Sequence, residues 1–286
     1  MQRLPSAGAA TMSMMEAMRA MMAEAKRVKA EAAAAEAAAE ASSSSGAQDA
    51  GSDVSEDAAH VPVDPALDGA CAAAARYVAE GRDPLIAARR THWYAAEACA
   101  PVALRGLLNA ADVAEARAAA AALAAAGQGA RHFKDATAAS TLGHAIVYLH
   151  AGGYFQARHA RLFEKIERAM RSRAPASWTC CGRDEALRVR CIEHHTYGAG
   201  SGLLMANHRD NDSCLTVSAL LSDGHGGGRF VTYRDGRPQP HDLGAGDAVL
   251  FPSEKLHNIE TVTSGVRTAL VVELWRDKTN AKDRFQ

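Results

Sequence analysis

The rhythm of apolar and polar positions changes partway along the chain. Helical patterning with matching end signals covers 66–80, 85–99 and a segment opened by Asn109 or Asp112 and closed by Gly127. A further amphipathic helix is predicted over 154–170, with Phe155, Leu162, Phe163, Ile166 and Met170 on its apolar side. The run 145–149 reads as a strand, and a series of strands begins at 187–197 and continues through 248–251 and 269–272, punctuated by glycine, serine and aspartate. Helices first and strands afterwards, without alternation of the two, predicts an α+β fold with an antiparallel sheet. Helical support is expected over 64–172 and the strand-built core over 187–276.

The first 63 residues follow different rules. Positions 12–41 are almost all alanine, methionine, glutamate, lysine and arginine, which predicts a helix. Its apolar face is too alanine-rich after Val28 for a coiled-coil seam. Ser42-Ser43-Ser44-Ser45-Gly46 then opens a polar, acidic run to about Glu56 that reads as a disordered linker. The expected organisation is a tail and linker over 1–63 and one folded domain over 64–286. Acidic Glu16 and Glu24 count against an organelle leader, whereas Arg3, Arg19 and the alanine richness keep targeting open.

Composition narrows the function classes. The 48% hydrophobic content permits a sizeable core, and a formal net charge of −1 provides no general attraction for polyphosphates, so no nucleic-acid partner is expected. No apolar run approaches the roughly 20 residues a membrane span needs. The six cysteines lack the spacing of a disulfide framework or a zinc knuckle, which predicts reduced thiols and an intracellular, cytoplasmic location.

Candidate chemistry centres on His208-Arg209-Asp210, with His257 and Arg267 downstream. Two imidazoles and one carboxylate can occupy one face of an octahedral Fe(II) and leave the opposite face open. One residue between His208 and Asp210 lets both side chains project from the same side of an extended segment. The strand-like run 248–251 precedes His257, and Arg267 begins a strand where its planar fork can hold a carboxylate. Arg209 points away from the metal if the segment is a regular strand, or reaches substrate at the pocket rim. His195 shares the face of Tyr197, His225 and His241 are expected to be exposed, and Gly226-Gly227-Gly228 reads as a tight turn.

Taken in order, these pieces resemble the Fe(II)/2-oxoglutarate-dependent oxygenases, and within them the prolyl 4-hydroxylase-like branch. The resemblance covers 189–275, about a third of the chain. It is carried by Tyr197-Gly198-Ala199-Gly200, Asn207-His208-Arg209-Asp210, the strand 215–221, Gly226-Gly227-Gly228-Arg229-Phe230, Gly246-Asp247 with its following strand, His257, Arg267 and Leu274-Trp275. It implies a double-stranded β-helix (jelly-roll) core with N-terminal supporting helices. It also implies Fe(II) on His208, Asp210 and His257, and 2-oxoglutarate paired through its far carboxylate with Arg267. Tyr197 is implied to face the cosubstrate pocket, Thr216 or Ser218 to assist there, and ascorbate to serve as reductant.

The implied reaction is a 2-oxoglutarate-dependent hydroxylation of a C–H bond, on a peptidyl prolyl residue or on a small molecule. AlkB-type nucleic-acid demethylases carry a second arginine where this chain has Glu273, which argues against nucleic-acid repair. Two rivals remain: a catalytically idle jelly-roll protein that keeps a metal or ligand site, and a cupin-type metal enzyme, in which Arg267 would have no task.

Overall fold

The structure, a computed structural model, describes residues 62–81, 91–127, 130–132, 144–178 and 186–282. The expected helix at 12–41, the linker, the start of the 85–99 helix, and Cys180 and Cys181 lie outside the described residues. Cys71, Cys99, Cys191 and Cys214 form no disulfide among the described residues. No described helix is long and apolar enough to cross a membrane.

Asp64 caps a short 3-10 turn, accepting the Ala66 amide at 2.9 Å, and leads into helix α1 (Asp68–Gly81). Helix α2 (Thr91–Ala98) and the short strand β1 (Val102–Leu104) follow. Asn109 and Asp112 were alternative openings for the next helix, and α3 (Ala110–Ala125) uses both. The Asn109 side chain accepts the Asp112 amide at 2.8 Å while the Asp112 carboxylate accepts the Asn109 amide at 3.1 Å, a reciprocal capping box. Strands β2 (Ala130–His132) and β3 (His144–Tyr148) come next.

The helix expected over 154–170 is two helices, α4 (Tyr154–Arg158) and α5 (Ala160–Arg173). The break is at His159, whose φ of −127° and ψ of 37° leave the helical region while its Nδ1 sits 2.9 Å from Glu115 on α3. Phe155, Leu162, Ile166 and Met170 are buried as the pattern predicts.

Asp112 is fully buried and also joins α3 to α5, with Lys165 Nζ at 2.5 Å and Arg161 Nη2 at 2.9 Å. Burial pushes its carboxyl upward, but the hydrogen bonds from Lys165, the Asn109 amide and Arg161 outweigh that and hold it below the ordinary carboxylate value. A depressed folded-state pKa stabilises above the unfolded value of about 3.9 and loses that contribution as pH falls through the folded one. Asp112→Asn is therefore expected to cost about 1 to 3 kcal/mol at pH 7. The gap from wild type in urea unfolding should shrink below about pH 4. A gap that stays constant down to pH 3 would contradict this account.

Seven strands form the large sheet. With β4 (Arg188–Gly198), β5 (Leu215–Leu220), β9 (Ala248–Pro252) and β12 (Val266–Trp275), its order is β1-β9-β5-β12-β4-β3-β2, antiparallel throughout. The other strands form a three-stranded sheet, with order β10-β7-β8, and a two-stranded one, β11-β6. Their bounds are β6 (Gly226–Gly227), β7 (Phe230–Arg234), β8 (Arg237–His241), β10 (His257–Ile259) and β11 (Val262–Ser264).

Alternation along the strands separates two environments. Leu215, Val217 and Ala219 of β5, Ala248 and Leu250 of β9, and Leu270, Val272 and Leu274 of β12 pack in one cluster with Ala116, Leu123, Phe155, Leu162, Ile166 and Met170. That apolar face carries the helices. Tyr197, Val249 and Phe251 of the large sheet instead meet Phe230, Ile259 and Val262 of the smaller sheets. The architecture is the double-stranded β-helix with supporting helices, and its inner face also carries Glu193, His195, Thr216, Ser218 and Arg267.

Candidate metal centre

Three side chains converge inside the barrel. The donor atoms of His208, Asp210 and His257 all lie within 4.8 Å of one another. His208 Nε2 is 3.5 Å from Asp210 Oδ1, and His257 Nε2 is 3.7 Å from Asp210 Oδ2. Asp210 and His257 are buried, whereas the His208 side chain keeps 24% of its exposure, so the cluster opens on the His208 side.

His208 and Asp210 do not sit on a strand, contrary to the sequence expectation. The Asp210 amide donates to Ser253 O at 3.0 Å and His208 O accepts from the His257 amide at 3.3 Å, which lays this segment along the chain that carries His257. The turn at Asn211 and Asp212, with Asp212 at φ 69°, then diverts the backbone before a ladder can develop. Two residues one apart still face the same centre.

His257 is held in one tautomer. Its Nδ1 lies 2.9 Å from the Lys255 carbonyl, which only accepts, so Nδ1 carries the proton and Nε2 presents its lone pair to the cluster. Burial pushes its pKa down to about 4, which keeps the imidazole neutral at physiological pH. Phe230 and Phe251 wall the ring at centroid distances of 5.6 and 4.8 Å.

Thr216 was a candidate for the cosubstrate, but its hydroxyl donates to Asp210 Oδ2 at 2.9 Å and also lies 2.9 Å from Ser253 Oγ. Its observed contact is with the aspartate. Thr216→Val keeps the shape and removes that bond, so metal affinity is expected to fall about tenfold. Equal metal titrations for Thr216→Val and wild type would rule out this role.

Arg267 is 2% exposed, and its Nε and Nη1 meet no hydrogen-bond partner among the described residues. Burial lowers its pKa to about 10, so it keeps its charge at neutral pH. A buried cation of this kind is costly unless an anion joins it. Its guanidinium carbon lies 5.6 Å from the ring centroid of Tyr197, the residue opposite it in the β12–β4 register. A cleft of about 380 Å³ reaches Arg267 past Leu220, His225, Gly228, Phe230 and His241.

The glycine-rich run has a steric role. At Gly228, φ is +70°, and a β-carbon would come within 3.0 Å of Arg267 Cδ and 2.9 Å of Val262 Cγ2. Lining the cleft leaves His225 and His241 half-buried rather than exposed, and Thr232 Oγ1 lies 2.9 Å from His241 Nε2.

Beside Tyr197 runs a polar chain. Its hydroxyl is 3.4 Å from His195 Nδ1, which lies 2.9 Å from His144 Nε2, while His195 Nε2 lies 3.0 Å from Glu193 Oε2. Burial raises the Tyr197 phenol well above its usual value and pushes His144 down to about 3, so both are neutral at physiological pH. His195 thus shares the Tyr197 face as expected. His144 carried no sequence signal, since its place depends on the pairing of β3 with β4.

Arg209 turns away from the cluster, and the alternative of a substrate contact at the rim is not realised. It is 7% exposed and bonds Glu97 of α2. A second group of potential ligands, Cys191, Glu193 and Glu273, is also buried. There the Glu273 carboxylate already takes the Ser213 hydroxyl at 2.5 Å and Arg190 at 3.4 Å.

No protein-family model matches the chain, and no curated protein matches it. Among solved structures it is similar to an oxidoreductase of the 2OG-Fe(II) oxygenase family from Burkholderia pseudomallei, at 19% identity over 74% of this chain and 93% of that one, with a TM-score of 0.47. It is also similar to a prolyl hydroxylase from Trichoplax adhaerens in complex with a hypoxia inducible factor peptide fragment, at 16% identity over 71% and 90% of the two chains, TM-score 0.46. A non-heme alpha ketoglutarate dependent epimerase from nogalamycin biosynthesis is similar at 19% identity over 67% and 83%, TM-score 0.44. The solved structures this chain is similar to thus include 2OG-Fe(II) oxygenases and a prolyl hydroxylase, all at low identity.

Proposed function

We propose that this chain is an Fe(II)- and 2-oxoglutarate-dependent dioxygenase that hydroxylates a C–H bond. One observation carries the reading: a two-histidine, one-carboxylate cluster and a buried arginine with unpartnered nitrogens lie on the inner side of the same barrel. The Tyr197 ring lies 5.6 Å from the Arg267 guanidinium carbon and packs with Phe230, Phe251 and Ile259 on that inner side.

The donor set fits iron, with neutral imidazoles from His208 and His257 and one carboxylate from Asp210. Arg267 fits the far carboxylate of 2-oxoglutarate, because its buried, planar guanidinium has Nε and Nη1 without a partner among the described residues and its fork can pair with a carboxylate through two N–H groups. When bound, the metal and 2-oxoglutarate supply the oxidative chemistry, in which one oxygen atom of O2 enters the C–H bond and succinate and carbon dioxide leave. The chain's own residues bind, orient and exclude water. His257 stays in one tautomer through Lys255 O, Asp210 is oriented by Thr216, and Phe230 and Phe251 keep solvent from the His257 side. Tyr197 flanks the cosubstrate as a neutral hydroxyl.

The substrate proposed is a protein side chain, a peptidyl prolyl residue first, or a small molecule, with ascorbate as reductant. The test is purified protein with Fe(II), ascorbate and a panel of peptides and small molecules. Succinate formation should accompany a 2-oxoglutarate-dependent gain of one oxygen by mass spectrometry. Absence of both 2-oxoglutarate binding and succinate would refute the reading, and binding of metal and 2-oxoglutarate without turnover across the panel would favour an idle binding protein.

A further inference from the structure

We propose that Glu97, on a helix outside the barrel, is a positioning residue that sets the spacing between the two chain segments carrying the metal ligands. The proposal rests on the iron reading above.

Glu97 Oε1 accepts from two places at once. Arg209 Nη1 donates to it at 2.5 Å and the Leu256 amide donates to it at 2.7 Å. Arg209 stands between His208 and Asp210, and Leu256 immediately precedes His257. One oxygen is therefore bonded to a neighbour of every ligand. The same helix makes a third link, since the Glu97 carbonyl accepts Lys255 Nζ at 2.8 Å while Oε2 faces that ammonium at 3.5 Å. Lys255 in turn supplies the carbonyl that fixes the His257 tautomer.

Arg209 has little freedom to move away. Its Nη1 also donates to the Glu254 carbonyl, and its guanidinium carbon lies 4.6 Å from the ring centroid of Tyr77 on α1 and 5.5 Å from that of Trp93 on α2. The Arg209 and Lys255 side chains are 4% and 0% exposed, and among the described residues Glu97 is the carboxylate that forms an ion pair with each of them. Truncating Glu97 leaves both cations without that partner, so their shared position becomes unfavourable.

The backbone link between the two segments is thin. It consists of the Asp210 amide to Ser253 O at 3.0 Å and the His257 amide to His208 O at 3.3 Å, the latter longer than a typical N–H···O bond. Glu97 ties the same two segments from the helix side. Such outer contacts typically change metal affinity 10- to 100-fold when removed.

The experiment titrates the full-length apo proteins with Co(II), following the visible bands of the bound ion and, separately, the melting temperature without metal. Glu97→Ala is expected to bind Co(II) roughly 10- to 100-fold more weakly and to alter the band positions or intensities. Glu97→Gln keeps an oxygen that accepts from the Leu256 amide but loses the charge that pairs with Arg209 and Lys255, so its affinity should fall between those of Glu97→Ala and wild type. Asp112→Asn, which weakens the fold from the distant α3 cap, serves as the stability control and should retain wild-type affinity and spectrum.

Wild-type affinity and spectrum in Glu97→Ala would overturn the proposal, as would a loss no greater than that of the control. If Glu97→Ala does not fold, Arg209→Lys takes its place, because it keeps the charge but loses the fork. Several-fold weaker binding then supports the proposal, and unchanged binding overturns it. A wild-type protein that binds no Co(II) would instead overturn the iron reading itself.

Discussion

His208→Ala is expected to abolish detectable Fe(II) binding and turnover while leaving the fold nearly unchanged. The side chain is 24% exposed and its ring stands edge-on to His257 at 4.7 Å, so its removal opens no enclosed core cavity. Changes at partly exposed positions away from special features usually stay within about 0.5 kcal/mol. The metal effect is far larger. Structural zinc sites gain roughly 10 to 16 kcal/mol over four ligands, so one ligand in three carries several kcal/mol, on the order of a thousandfold or more in affinity. Anaerobic metal titration beside a thermal melt checks both halves. Wild-type metal affinity in His208→Ala would remove this residue from the centre, and a collapsed melt would show that it serves the fold.

Arg267→Met should separate stability from function in the opposite direction. Charged hydrogen bonds contribute about 1.5 to 3 kcal/mol each, and two of them to one carboxylate correspond to a 2-oxoglutarate requirement raised at least about a hundredfold. Metal affinity should stay at the wild-type level. The apo protein, relieved of a buried guanidinium whose Nε and Nη1 are unpartnered, should melt no lower than wild type, and higher if methionine fills the space. The decisive measurement is succinate formation against 2-oxoglutarate concentration. Identical cosubstrate dependence in the two proteins would end the assignment of Arg267.

Much of the fold was legible because strands buried on both faces read as short unbroken apolar runs bounded by turn residues. The strand signals at 248–251 and 269–272 correspond to β9 and the middle of β12, and the helix signals at 66–80 and 109–127 to α1 and α3. His208, Asp210, His257 and Arg267 could be singled out because each residue type is chemically unusual in its setting. The local conformation of 208–210 was not legible, because it is dictated by two long-range backbone bonds to residues 253–257. The break at His159 was hidden for the same reason, as its partner Glu115 lies 44 positions away. Glu97 was invisible as well, a single acid in an alanine-rich helix whose bonds reach residues 209 and 256. Thr216 could be noticed as a hydroxyl near the site, but only the structure shows its bond to Asp210.

The reach of Glu97 has a temporal side. Its bonds to Arg209 and Leu256 close loops of 112 and 159 residues, among the longest connections around the centre. Contacts between distant parts of a chain are entropically expensive to form early, and they tend to be made once local helices and hairpins exist. Strand pairing in the large sheet closes comparable separations, with Val102 of β1 opposite Leu250 of β9, so the docking of α2 and the closing of the sheet both belong to the late steps, and the ligand segments reach their final spacing only with them. A centre that takes iron, as proposed, would be complete only once a helix early in the chain has closed over strands that come late in it.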